Sequence, residues 1–429
     1  MAREMKDSGI EWIGEIPENW LVKKIKHSFT IFAGATPKSE KAEYWDGDIS
    51  WITPADYKTE EKYVYTGRKN ITMAGYMSCG TTIVPKGSVI FSKRAPVGTV
   101  AISGNKLCTN QGCLACVPLN MTDSMFYYYA MSVFTEQFEL VSSGTTFKEI
   151  SANAFANFPL PFPIYEEQIK ISSFLDNKCT ELDNVLQKTR SSIEEYKKLK
   201  QAVITQAVTK GVRDNREMKD SGIEWNNQIP VEWGSINPKV LFRQRKDKAF
   251  EGEKQLTASQ QYGIMFQSDY MDLTGTKVVT VEKDFDILKH VEAGDFVISM
   301  RSFQGGLEYS ELSGSISSAY VMLVPNLELV YPRFYRWLLK SEVYITALQS
   351  TSNMVRDGQA MRYSNFSQVR LYIVPMEEQK EIARYLDEKC AVIDELIAKK
   401  EQYLSEIENY KKSLIYEYVT GKKEVPQNC

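Results

Sequence analysis

Basic and amide side chains stand on turns at matching places in the two halves of this sequence. The first half carries Ser92-Lys93-Arg94-Ala95-Pro96 and Thr145-Thr146-Phe147-Lys148. The second carries Ser299-Met300-Arg301-Ser302-Phe303-Gln304 and Arg356-Asp357-Gly358-Gln359-Ala360-Met361-Arg362-Tyr363, with Phe242-Arg243-Gln244-Arg245 upstream. Arginine pairs bidentately with guanine, glutamine with adenine, and lysine or threonine with phosphates or base edges, which is the vocabulary of major-groove readout. An arginine on a turn is otherwise a solvated surface residue, and the recurrence of Arg94 at Arg301 is what favours the first reading. The candidate DNA-binding residues are Lys93, Arg94, Thr145, Thr146, Lys148, Arg243, Arg245, Arg301, Gln304, Arg356, Gln359 and Arg362.

Other chemistry finds little to work with. The only histidines are His27 and His290, far apart in sequence, so a histidine relay or a His-ligated zinc enzyme would have to be built from these two. Cys113-x-x-Cys116, with Cys108 and Cys79 upstream, could hold zinc. No second CxxC accompanies it, and Cys113-Leu114-Ala115-Cys116-Val117 reads better as a buried strand. Asp56 with Glu60-Glu61-Lys62 has the letters of a D…ExK nuclease site, yet it lies in a polar stretch without a flanking strand. There is no GxxxxGK[ST] phosphate loop, no strand-linked GxGxxG and no Asn/Asp-Pro-Pro-aromatic tetrad. The expectation is a chain with no catalytic residues, no metal and no cofactor of its own.

The elements that must position the turn residues come in duplicate. Glu4 to Trp20 reads EMKDSGIEWIGEIPENW and Glu217 to Trp233 reads EMKDSGIEWNNQIPVEW, identical at 12 of 17 positions at an offset of 213. Glu166 to Asp183 matches Glu377 to Asp394 at 9 of 18 positions, offset 211. A fainter, ungapped match aligns Lys86–Pro118 with Ala293–Pro325 through Gly87/Gly294, Ser92/Ser299, Arg94/Arg301, Gly98/Gly305 and Pro118/Pro325. The chain of 429 residues is therefore two copies of one unit. Each copy has a lead-in segment, a variable body and a helical tail.

The bodies read as mixed α/β, with strands at Ser88–Ser92, Gly98–Ile102, Asp295–Ser299 and Tyr320–Val324. Helices are expected over Met125–Leu140 and Arg333–Leu348. Lys and Arg outnumber Asp and Glu by 14 to 11 over Leu21–Leu160 and by 16 to 15 over Gly234–Pro375, while the whole chain carries a net charge of −3. That excludes a polycation that coats nucleic acid and leaves room for a local basic face. The start of the chain lacks a signal-peptide core, no stretch approaches eighteen apolar residues, and the cysteines form no disulfide ladder. The expected location is the cytoplasm, with no membrane partner.

The tails, Glu166–Thr209 and Glu377–Thr420, place apolar residues at three- and four-residue steps with Glu and Lys between, the pattern of a coiled-coil seam. Each would be about 65 Å long if unbroken. Two such helices in a duplicated chain most simply pack antiparallel and hold the bodies apart. Their seams leave Phe174, Leu175, Tyr385 and Leu386 to bury against each other or against a partner. The expected fold class is α+β: two mixed α/β domains joined by two long antiparallel coiled-coil helices, with pseudo-twofold symmetry from the duplication. The expected boundaries are 1–160, 161–213, 214–375 and 376–429.

The doubled KDSGIEW…IP…W segments (Lys6 to Trp20, Lys219 to Trp233) and P…EEQ…I…(F/Y)LD.K tails at Glu166 and Glu377 resemble the specificity subunits of type I restriction–modification systems. The resemblance covers essentially the whole chain. It implies two target recognition domains that each read half of a split sequence in double-stranded DNA. It also implies two modification subunits docked on the helices, binding S-adenosylmethionine and methylating adenine, and restriction (motor-nuclease) subunits that join them. The second body lacks the Gly34-Ala35-Thr36-Pro37 turn and the Trp45…Trp51-Ile52 segment, which implies unlike half-sites and an asymmetric target. Two rivals are a methyltransferase with a fused recognition domain, disfavoured by the missing cofactor loop and tetrad, and a coiled-coil interaction scaffold without a DNA role. The scaffold reading leaves the two differently worded bodies unexplained.

Overall fold

The computed structural model describes residues 3–58, 61–144, 148–278, 280, 287–299, 302–351 and 361–426. The chain forms two compact units, Met1–Thr189 with Gln402–Cys429, and Arg190–Glu401.

In the first unit, β1 (Phe29–Ala33), β2 (Tyr63–Val64), β3 (Val89–Ser92), β4 (Val100–Ser103) and β5 (Cys113–Pro118) form a sheet in the order β1-β5-β3-β4-β2. All neighbours are antiparallel except the edge pair β2 and β4. β3 and β4 are buried along their whole length, which is why they read as continuous apolar runs. Alternate residues serve two cores: Val89, Phe91, Val100 and Ile102 face one cluster, Ile90 and Ala101 the other. Helices α1 (Ser124–Val133) and α2 (Thr135–Leu140) supply Phe126, Tyr127, Met131 and Phe138 to the first cluster. The one helix expected over Met125–Leu140 is thus two. Phe134 leaves helical geometry (φ −98°, ψ 24°) and sits 4.8 Å from the Trp12 ring in the core. A ladder of Leu21–Lys24 with Pro159–Phe162 closes the body, pairing its first residues with its last. Long helix α3 (Tyr165–Lys210) then begins.

The second unit repeats this plan. β6 (Phe242–Arg245), β7 (Phe296–Ile298), β8 (Glu308–Tyr309) and β9 (Val321–Pro325) form an antiparallel sheet in the order β6-β9-β7-β8. The register is the same: Phe29 opposes Pro118 and Phe242 opposes Pro325, while Val89 opposes Cys116 and Phe296 opposes Leu323. The ungapped match seen in the sequence is therefore a shared strand-pairing scheme. Helices α4 (Pro332–Leu339) and α5 (Glu342–Ser350) again replace one expected helix, because the Ser341 hydroxyl accepts from the Tyr344 N–H and caps a new start. Gly234–Ile236 pairs with Leu371–Ile373 as the closing ladder, and helix α6 (Met376–Val419) follows.

The long helices match the expected spans to within a residue or two. Both carry two glutamates in the first turn and end at a left-handed glycine, Gly211 (φ +76°) or Gly421 (φ +73°). Each unit contains half of each helix, so the division falls inside α3 and α6, whereas the sequence signals set the helices apart as segments of their own. Within each unit the two halves run antiparallel. In the first, Asp183 pairs with Lys411 and Phe174 lies 4.6 Å from Tyr418; in the second, Lys200 pairs with Asp394.

Candidate nucleic-acid interface

Three strand ends meet at one end of the first sheet. β1 runs out into Gly34-Ala35-Thr36, β5 starts from the turn Asn110-Gln111-Gly112, and β3 runs out into Lys93-Arg94. Backbone bonds lock them together: Ala35 N–H to Thr109 O (3.0 Å), Lys93 N–H to Gly112 O (2.8 Å) and Ile150 N–H to Lys93 O (3.1 Å). The Trp51 indole donates to Ala35 O at 2.9 Å. Gly34 is required here, since a Cβ would lie 2.2 Å from the carbonyl oxygens of Thr109 and Asn110. On this platform the Thr36 hydroxyl donates to Gln111 Oε1, and both residues are exposed.

Lys93, Arg94 and Lys148 come together beside the same platform, around a cleft of about 510 Å³ that Arg94, Pro96, Glu139, Lys148 and Glu149 line. Glu149 takes Lys93 at 3.0 Å and Arg94 at 3.4 Å, and Glu139 takes Lys148 at 3.4 Å. The hydrogen bond from Lys93 holds the Glu149 carboxyl below its ordinary range, helped by Arg94. The cations are therefore held in place by carboxylates, which anionic phosphates could displace.

The second body arranges its cations differently. Arg245 is clamped by Asp295 at 2.6 and 3.0 Å and reaches Asp247 at 3.0 Å, with Asp295 almost wholly buried. Arg243, Gln304 and Arg362 are exposed. His290 lies between Glu253 (2.5 Å) and Glu292 (3.0 Å), beside the Phe250 ring. Thr145, Thr146, Arg301, Arg356 and Gln359 lie outside the described residues.

The repeated motif letters turn out to hold each body to its helix. Gln168, fully buried on the first turn of α3, donates from Nε2 to Pro163 O (2.9 Å) and Met121 O (3.3 Å) and accepts from Asp123 N–H (2.9 Å). Gln379 does the same on α6 with Val374 O, Leu329 O and Tyr331 N–H at 2.8, 2.8 and 2.7 Å. Asp176 accepts from the Tyr129 hydroxyl at 2.8 Å; Asp387 accepts from the Trp337 indole at 2.9 Å. Glu167 meets Trp20 Nε1 (2.8 Å) and Arg3 (2.6 Å), while Glu378 meets Arg216. Two bodies with different surfaces thus sit on one fastening, used twice.

A family model described as the type I restriction modification DNA specificity domain matches residues 17–195. The MjaIX type I restriction enzyme specificity subunit of Methanocaldococcus jannaschii is 39% identical over 166 residues, a match that spans 38% of each chain. The EcoBI specificity subunit of Escherichia coli is 20% identical over 98% of this chain and 90% of its own. A structure of a type I restriction–modification system, from work on its assembly and conformational transition, superposes with a TM-score of 0.71 at 14% identity, covering 95% of this chain and 99% of that one. The crystal structure of the HsdS subunit from Thermoanaerobacter tengcongensis gives 0.52 at 15% identity, with 95% and 98% covered. Residues 17–195 thus match the specificity domain of type I systems, and nearly the whole chain is similar to type I specificity subunits.

The remaining sequence candidates find structural places. Cys113 and Cys116 lie inside β5, where burial pushes the Cys113 thiol up to about 12 and raises Cys116 as well. Among the described residues no group of His, Cys, Asp and Glu is placed to hold a metal ion. Asp56 caps a turn, accepting from the Thr53 N–H (2.8 Å) and hydroxyl (2.7 Å). Leu175 and Leu386 are fully buried in the cores of their own units, so they offer no surface to another protein; Phe174 and Tyr385 are partly buried against the same cores. Among the described residues no helix is long and apolar enough to cross a membrane.

Proposed function

We propose that this chain is a type I specificity subunit that reads a split, asymmetric sequence in double-stranded DNA, one half per body, and does no methyl transfer or cleavage itself. The observation that carries the reading is the repeated sheet: four strands in one order and one register, on one fastening, bearing unlike side chains at the strand ends. A scaffold without a DNA role would have no use for that contrast. In the first body Lys93, Arg94 and Lys148 supply phosphate and base contacts; in the second Arg243, Gln304 and Arg362 do, joined by Arg301, Arg356 and Gln359. Arg245 serves the fold through Asp295.

Modification subunits dock on the long helices and bring S-adenosylmethionine, and restriction subunits join them in the cytoplasm. Within the first unit Val185, Tyr403 and Tyr410 are exposed on these helices, and within the second Leu199, Val392 and Leu396. Two of these positions recur at the offset of 211, Val185 as Leu396 and Leu199 as Tyr410, which supports two docking sites for one kind of subunit. Replacing Leu21–Leu160 with the body of another specificity subunit tests the division of labour. Mapping of methylated adenines in a host carrying the chimaera should show one half of the target changed and the other kept; a change in both halves would refute it.

A further inference from the structure

We propose that Gln111 reads an adenine in the half-site of the first body, and that Thr36 holds its amide in the reading position. This rests on the DNA-reading role proposed above. Gln111 stands at the tip of the turn into β5, exposed, on backbone fixed from both sides by Ala35 and Lys93. Its neighbour Asn110 turns inward and accepts from the Gly112 N–H at 2.9 Å, so Gln111 is the amide the turn presents outward. Lys93 and Arg94 share Glu149, but Gln111 Nε2 has no partner among the described residues.

The Thr36 hydroxyl donates to Gln111 Oε1, taking one of its lone pairs and tethering the amide. The side chain is left with one acceptor site and two N–H donors, side by side. Adenine offers the matching pair in the major groove, an N6 donor beside an N7 acceptor. Ordering by Thr36 removes part of the rotamer entropy that a free glutamine gives up on binding. The second body has Ser318 at the corresponding place, 207 residues on, so it reads its own half-site by other means.

Selection from a randomised duplex DNA pool tests this, using the full chain assembled with its modification subunits. The wild type should enrich a target whose first half-site contains an invariant adenine. Gln111→Ala should relax that position, with discrimination falling about 5- to 150-fold, and leave the other positions and the second half-site intact. Gln111→Glu preserves the volume but offers only acceptors, so the position should move to cytosine, whose N4 donates. Thr36→Val should weaken discrimination at that position only. Retention of the wild-type base by Gln111→Glu would overturn the assignment while leaving DNA reading in place. A wild-type complex that enriches no sequence would overturn both.

Discussion

Trp20 and Trp233 occupy the same place in the two copies, at the end of the lead-in segment, and both are fully buried. In the first unit the Trp20 indole donates to Glu167, and Arg3 binds the other carboxylate oxygen. In the second, Arg216 takes both oxygens of Glu378, at 3.1 Å for Nη2 to Oε2, and the Trp233 indole nitrogen has no protein partner among the described residues. The arginine ring contacts persist, at 5.3 Å over Trp20 and 5.9 Å over Trp233. The letters of the motif are held by shape and burial, then, while the hydrogen bonds inside it can be redistributed. The bodies show the converse: their sheets share register, and it is the loops at the strand ends that diverge.

The largest expected effect comes from what the two units share. Gln168→Ala and Gln379→Ala each strand three backbone groups, one buried and two partly buried. At about 1–3 kcal/mol for the buried group and about 0.5–1.5 kcal/mol for each of the others, each should cost on the order of 2–6 kcal/mol. Each loss should be local. Hydrogen exchange should rise in the unit carrying the substitution and stay low in the other, whereas equal loosening of both would end the description of two separately fastened bodies.

The ion pairs should separate the units more sharply. Glu378 is almost wholly buried and the Arg216 side chain nearly so, while the Arg3 and Glu167 side chains are 17% and 20% exposed. Arg216→Ala leaves a buried carboxylate uncompensated, a loss of about 3–5 kcal/mol. Arg3→Ala leaves Glu167 the Trp20 donor and some water, and should cost about 1 kcal/mol. Chemical denaturation of each variant would check the order, and adding Glu378→Gln to Arg216→Ala should recover part of the loss. A smaller contrast is expected at the tryptophans. Trp20→Phe removes a bond to a charged acceptor and should cost about 1–2 kcal/mol more than Trp233→Phe, in which no bond is lost. The reverse order would mean that Trp233 finds a partner in solution.

The shared parts of this molecule were legible in its sequence, because repetition supplies its own alignment. The match of Lys86–Pro118 to Ala293–Pro325 anticipated the strand register, and the seams of the tails anticipated α3 and α6. The breaks at Phe134 and Ser341 were hidden, since both lie in apolar runs whose period continues across them and only core packing or a cap ends the helix. Gln168 and Gln379 sit in polar EEQ runs that carry no sign of burial; they are buried because the first turn of each long helix lies under the end of a body. Gln111 escaped notice for another reason. Its place depends on Gly34 and Thr36, some 75 residues earlier, which meet it only when β1 pairs with β5.

Two glutamates carry the comparison into pH, with the smallest expected effect. Glu149 of the first body is held below the ordinary glutamate value of 4.5 by Lys93, whereas burial raises Glu308 of the second above it, against the opposing pull of Lys340. The signs follow from proton binding. For Glu149 the unfolded chain binds the proton more tightly, so its contribution is present above about pH 4.5 and is lost as the pH falls through the lowered value. For Glu308 the folded chain binds it more tightly, so its unfavourable contribution is absent in acid and grows as the pH rises through 4.5 to the raised value. Acidification should therefore loosen the Lys93–Arg94–Glu149 cluster while relieving the second body at Glu308. Thermal melts from about pH 7 to about pH 3 would show this through two variants that remove only the ionisation. Glu149→Gln should flatten the acid limb of the profile, and Glu308→Gln should raise stability at neutral pH relative to its effect in acid, with Lys340 released to water. If both variants moved the profile in the same direction, the two carboxylates would not be opposed.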